Sequence, residues 1–261
     1  MKHFVGAILF FYFVPVWGQD ASLVHSARRF PGESYQHAVR RNLGNAREFL
    51  NTSAQGEAVP LTDLNLKNAT AVLSPADAAT IFQKGRDFRF LNDPDVSGFP
   101  RRPSWLYPDD GCWARAALFS QNMKSWNYPR AFKVFVFGSL DVKTKNSPAG
   151  EVLWWYHVAP AALVNSQVTI FDPAIEPKNP LPLRDWILTM VPTLDQVKVS
   201  LCSPSTYMPS SLCDTPEVQE EGAAVADQTY YLSLERQRLI YLRRDPVKEL
   251  GDSPTWLSKA Q

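Results

Sequence analysis

Histidine and cysteine are both scarce in this chain, four and three among 261 residues. That scarcity bounds the chemistry. The histidines are scattered, no His-Glu-x-x-His occurs, and the cysteine spacing fits no zinc pattern, so no metal site is expected. Glycine motifs that cradle phosphate are absent too, and no cofactor is implied. Charge of one sign is also lacking. A net charge of +1 gives no reason to expect nucleic acid or an acidic membrane as a partner. Beyond the N-terminus, no apolar run approaches the ~20 residues that a bilayer span requires.

What is present is ordinary for a globular enzyme-sized chain, with 45% hydrophobic and 20% charged residues. Twenty-one prolines point to a loop-rich protein with broken elements rather than a long helical bundle. The N-terminus reads as an export signal over residues 1–18. Lys2 and His3 precede an apolar run from Phe4 to Val16, with Pro15 near its end and Gly18 before the expected cleavage. The expectation is therefore a secreted or periplasmic protein, with no membrane association once the signal is cleaved. In an oxidising compartment Cys202 and Cys213, closing a short Ser/Pro-rich loop, are expected to pair. Cys112 is then left over, and a leftover cysteine in an exported protein is an intermolecular linker or a reactive thiol. Residues 19–70 are polar and form either a decoration of the main domain or a pro-segment. Residues 71–261 are the expected catalytic domain.

The context of Cys112 favours the reactive thiol. In Tyr107-Pro108-Asp109-Asp110-Gly111-Cys112, the two aspartates are N-cap residue types, and a helix is predicted through about Trp126. Cys112, Ala116, Phe119, Met123 and Trp126 share one helical face. A thiol in the first turn lies near unpaired N–H groups and the positive end of the helix dipole, which favour thiolate. Gly111 leaves the approach free of a side chain. Upstream, Ser74-Pro75-Ala76-Asp77 predicts a helix to about Asp87, followed by a loop over Phe90 to Ser104.

Downstream, Phe132 to Phe137, Glu151 to Ala161 and Ser166 to Asp172 read as strands. Strict alternation puts Trp155, His157 and Ala159 on one face. A hairpin centred between Val164 and Asn165 makes His157 and Asp172 direct cross-strand neighbours, about 4.5–5.5 Å apart at Cβ. Leu183, Trp186, Ile187 and Met190 mark a short helix. Gln228 to Arg244 matches helix and strand equally well.

Only His157 lies within a predicted core strand, so the constellation is Cys112 as nucleophile, His157 as base and Asp172 as its orienter. A thiol on a helix and a base pair on strands, in that chain order, fits the papain-like arrangement. The stretches Asp110-Gly111-Cys112-Trp113-Ala114-Arg115-Ala116, Trp155-Tyr156-His157-Val158-Ala159 and Ile170-Phe171-Asp172-Pro173 resemble the bacterial protein-glutaminases, which deamidate proteins. The resemblance runs from about Leu73 to Met190, with a weaker echo at Tyr230-Tyr231. It implies a secreted α+β enzyme with a papain- or transglutaminase-like core, a nucleophile helix packed on an antiparallel sheet. It further implies hydrolysis of protein-bound Gln to Glu and ammonia through a cysteine thioester, on proteins or peptides with exposed Gln. The segment before Ser74 is shorter than the family's pro-region. Transglutaminase or cysteine peptidase chemistry on the same core, or a catalytically inert binding domain, are the alternatives. The oligomeric state is open.

Overall fold

A computed structural model describes residues 26–44, 51–214 and 220–257. The expected signal at residues 1–18 lies outside the described residues. In chain order the elements are α1 (Tyr35–Leu43), β1 (Val72–Leu73), α2 (Pro75–Asp87), β2 (Leu91–Asn92), β3 (Pro100–Arg101), α3 (Cys112–Ser125), β4 (Phe132–Lys143), β5 (Glu151–Val164), β6 (Gln167–Ile170), β7 (Leu181–Pro182), α4 (Leu183–Leu188), β8 (Val197–Cys202), α5 (Glu220–Tyr241) and α6 (Pro246–Leu250). The fold class is α+β. A six-stranded sheet runs β7-β6-β5-β4-β8, antiparallel along that path, and β1 joins β5 in parallel.

The sheet centres on β4 and β5, which pair from Phe132↔Ala161 to Lys143↔Glu151. Phe132 to Phe137 are all buried, so this half of β4 is covered on both faces. Beyond Gly138 burial alternates, because Ser139, Asp141 and Lys143 face water. The pairing register shifts between Phe137 and Leu140, opposite Trp154 to Tyr156. Such an irregularity re-aims side chains next to it. Here it overturns the expected grouping of Trp155 with His157. Trp154 stacks on the His157 ring with centroids 4.4 Å apart, while the Trp155 Nε1–H donates to the carbonyl of Ser26 at 2.8 Å.

The β5–β6 turn is Asn165-Ser166, both in the left-handed region at φ 50 and φ 63. Two such residues give the tight turn whose twist suits a hairpin. Val164 therefore pairs with Gln167, and the Phe171 N–H continues the ladder to the carbonyl of Pro160 at 2.9 Å. The expected register is corrected by two positions, which sets Asp172 across from Ala159 rather than His157. An even shift preserves the face, so the two side chains still meet.

Helix α2 starts as predicted. The Ser74 hydroxyl accepts from the Asp77 N–H, Pro75 follows, and Ala78, Ile81 and Phe82 are buried. The expected loop over Phe90 to Ser104 contains the small β2–β3 pair. Its Arg101 forms a buried ion network with Asp93 and with Glu235 of α5. α3 packs against β5 on one side and α5 on the other, and ten of its residues from Cys112 to Met123 are buried. Phe119 stacks on Phe171 at 5.6 Å and lies where a Cβ on Gly85 would be, which brings α2 close to α3.

The described part of residues 19–70 packs into this body. The Arg29 N–H donates to the carbonyl of Leu153, the Trp155 N–H donates to that of Ala27, and Val59 exchanges hydrogen bonds with Val199. A disulfide joins Cys202 to Cys213, leaving Cys112 as the free cysteine. Among the described residues no helix is long and apolar enough to cross a membrane.

Candidate active site

Cys112 is the first residue of α3, as its spacing predicts, but the cap differs from expectation. Gly111 is the N-cap, at φ +82, and no side chain caps the helix. Asp110 instead accepts from the N–H groups of Ala27, at 3.2 Å, and Gly111, at 3.0 Å. Arg115, also buried, donates from one guanidinium nitrogen to the carbonyls of Ser104, Tyr107 and Asp110, which fastens the loop to the helix. The approach over Gly111 is not open either. A Cβ there would lie 2.6 Å from the ring of Tyr231 on α5. Tyr231 also packs edge-on to Trp113 and stacks on Tyr107, and the Trp113 Nε1–H donates to Asp227 of the same helix at 2.8 Å.

The result is a sealed thiol. Cys112 is 2% exposed, and burial pushes its pKa up to about 12. Arg115, the Val158 backbone and the Tyr156 side chain favour thiolate, while Asp110 opposes it; together they do not offset the desolvation. A helix terminus presents only about half an elementary charge. Removing a thiolate from water costs more than that returns. The expectation of an activated thiol is corrected for this closed arrangement. Asp110 shares the burial, which raises its carboxyl pKa to about 6.

His157 and Asp172 are differently placed. The imidazole Nε2 lies 2.7 Å from Asp172 Oδ2, and both residues are buried. Burial works against ionisation of Asp172. The His157 charge and hydrogen bond, the Trp186 Nε1–H at 3.0 Å and Arg115 outweigh it, and hold the carboxyl below its usual range. The other carboxylate oxygen accepts from the Ala174 N–H at 3.2 Å, so Asp172 also shapes the turn at Pro173. Trp154 and Trp186 flank the imidazole. In the neutral tautomer whose Nε2 donates to the carboxylate, Nδ1 carries the lone pair. Nδ1 is buried and has no hydrogen-bond partner.

The structure thus brings His157 and Asp172 into contact, and it sets the Cys112 sulfur against β5 at Tyr156 and Val158, on either side of His157. Cys112 and His157 are not hydrogen-bonded to each other. Sequence reasoning passed over Trp154, Tyr156, Trp186 and Tyr231 as site residues. For Tyr156 the signal was its place beside His157, and for Tyr231 it was the echo at Tyr230-Tyr231. Glu57, Cys213 and Asp214 also cluster, but the Cys213 sulfur is committed to the disulfide and is no thiolate ligand.

Residues 78–190 match a family model described as Glutaminase. The matched stretch, which includes Cys112, His157 and Asp172, supports an enzyme of the deamidase class, a hydrolase. The match spans less than half of the chain and overlaps the stretch that carries the motif resemblance. No curated protein matches the chain. Among solved structures, a mutant pro-protein-glutaminase is 21% identical and covers 80% of this chain and 69% of its own, at a TM-score of 0.46. Protein-glutaminase itself is 22% identical, over 62% of this chain and 90% of its own, at 0.43. The protein-glutaminase of Chryseobacterium proteolyticum is 21% identical, over 73% and 96%, at 0.44.

Proposed function

We propose that the protein deamidates glutamine side chains of proteins or peptides through a thioester on Cys112. The observation that carries this reading is the buried His157–Asp172 pair, with Nδ1 unengaged, on the β5 segment that Cys112 abuts. In the proposed cycle the Cys112 sulfur, its proton taken by His157 Nδ1, attacks the carboxamide carbon. The backbone N–H of Cys112 donates to the oxyanion. The tetrahedral adduct expels ammonia with the proton that His157 returns, leaving the acyl thioester. His157 then takes a proton from water as it attacks, and collapse releases glutamate and the thiol. Asp172 keeps the proton on Nε2 and supports the imidazolium.

We further propose that the chain is exported, consistent with its disulfide. Residues 19–70 are the candidate pro-segment: Ala27 engages Asp110, and Ala27 to Arg29 line β5 beside the site. One specific observation favours a second reading, the inert binding domain: the sealed state of the Cys112 thiol. The test is incubation of the full chain, and of a form lacking residues 19–70, with casein. Ammonia release without chain cleavage or amine incorporation is the expected result. Fragments would replace the reading with a peptidase, amine incorporation with a transglutaminase, and silence in both forms with the inert domain.

A further inference from the structure

Tyr156 is fully buried in β5, next to His157, with its ring among Phe135, Phe137 and Trp155. A phenylalanine would make those contacts equally well, so packing explains the ring and leaves the hydroxyl without a reason. That hydroxyl is shut off from water and forms no hydrogen bond to any group around it. Unpaired buried polar groups are rare in native proteins, and each calls for an explanation. Its neighbour is the Cys112 sulfur, with which it interacts as a side-chain donor favouring thiolate, although the hydroxyl meets no partner at full hydrogen-bond geometry in the resting state.

We propose that the Tyr156 hydroxyl is the hydrogen-bond donor to the Cys112 sulfur when that sulfur ionises, and so is a catalytic residue beyond Cys112, His157 and Asp172. The inference rests on the reading of Cys112 as nucleophile. Burial, the Cys112 charge, and Asp110 and Tyr231 all hold the phenol proton in place, so Tyr156 donates and does not act as a base. A donor to sulfur serves both half-reactions, because the thiolate is the attacking group in the first and the leaving group in the second. Charge-assisted hydrogen bonds of this type are roughly twice as strong as neutral ones. The other charged or titratable groups that face the sulfur are Arg115 on α3, Asp110 before it and Tyr231 on α5.

The test is Tyr156→Phe in the full chain, read in three ways. The alkylation rate of Cys112 by iodoacetamide across pH reports the thiolate population. The variant is expected to react about tenfold more slowly at each pH, which is about one pKa unit. The pH profile of casein deamidation is expected to move its acid limb upward with it, with kcat falling and KM unchanged. The third readout is the loss of the Raman S–H band of the single free thiol as pH rises, which needs neither reagent access nor activity and is expected to move to higher pH in the variant. The thermal midpoint should hold, because the lost hydroxyl bonds to no structural group. Unchanged alkylation, pH profile and S–H titration would overturn the proposal, whatever the activity. If the wild type releases no ammonia while the S–H loss still moves to higher pH in the variant, the deamidase reading fails and the donor stands.

Discussion

The two halves of the candidate site are built on opposite principles. On the β5–β6 side, burial is compensated: the Asp172 carboxylate has His157, Trp186 and the Ala174 N–H, and its pKa falls despite desolvation. On the α3 side, burial is left uncompensated: Cys112 and Asp110 lie in the same dry region, and both pKa values rise. One half is therefore set for chemistry and the other is held back. The contrast shows that position at a helix start does not activate a thiol while water is excluded, even with the Arg115 charge nearby. It also locates the restraint in segments outside the matched stretch, Ala27 on one flank and Tyr231 on the other.

The comparison can be broken at either half. The largest effect is expected from Cys112→Ala, which should remove ammonia release by a factor of about 10³ or more; activity near that of the wild type would refute the nucleophile. Asp172→Asn should lower kcat by roughly 10²–10⁴, since the imidazole loses its oriented partner, with kcat the quantity to measure. Its effect on stability has a defined sign. A carboxyl depressed in the fold contributes stability above its unfolded pKa, near 3.9, and that contribution is lost as pH falls through the lower folded value. Acid unfolding curves should therefore separate wild type from variant least at the lowest pH.

On the sealed half, Tyr231→Ala should raise the iodoacetamide labelling rate of Cys112 by about tenfold by admitting water and reagent, and an unchanged rate would place the seal elsewhere. The smallest effect is expected from Asp110→Asn. The Asp110 pKa is raised in the fold, to about 6, so its contribution to stability is complete below the unfolded value and is lost as pH rises through about 6. The neutral amide should be more stable than wild type at pH 7–8, by a few degrees in thermal midpoint, with the advantage vanishing toward about pH 4. The same change removes a carboxylate beside the sulfur and should lower the thiol pKa.

Local patterns carried much of this architecture. The start of α2, the strands β4 to β6 and the position of Cys112 follow from caps, alternation and helical spacing within a few residues of each other. The His157–Asp172 pair was legible although the register was displaced, because the Asn165-Ser166 turn moves partners by an even number and spares the face. Helix α5 was ambiguous for a physical reason. Its buried positions Gln228, Tyr231, Leu232, Glu235 and Leu239 do recur at helical spacing. Two of them are polar, with Gln228 accepting from the Ser104 N–H and Glu235 from that of Leu106, so the apolar stripe is interrupted. The sealing of Cys112 had no local signature, since the groups responsible arrive from distant parts of the chain.

The account turns most directly on whether a thioester forms. The full chain, and the form lacking residues 19–70, would be mixed with a glutamine-containing peptide, quenched in acid and weighed by intact mass spectrometry. The predicted result is an adduct on Cys112 equal to the peptide less ammonia, absent from Cys112→Ala. Ammonia release that proceeds with no such adduct and survives Cys112→Ala would contradict it.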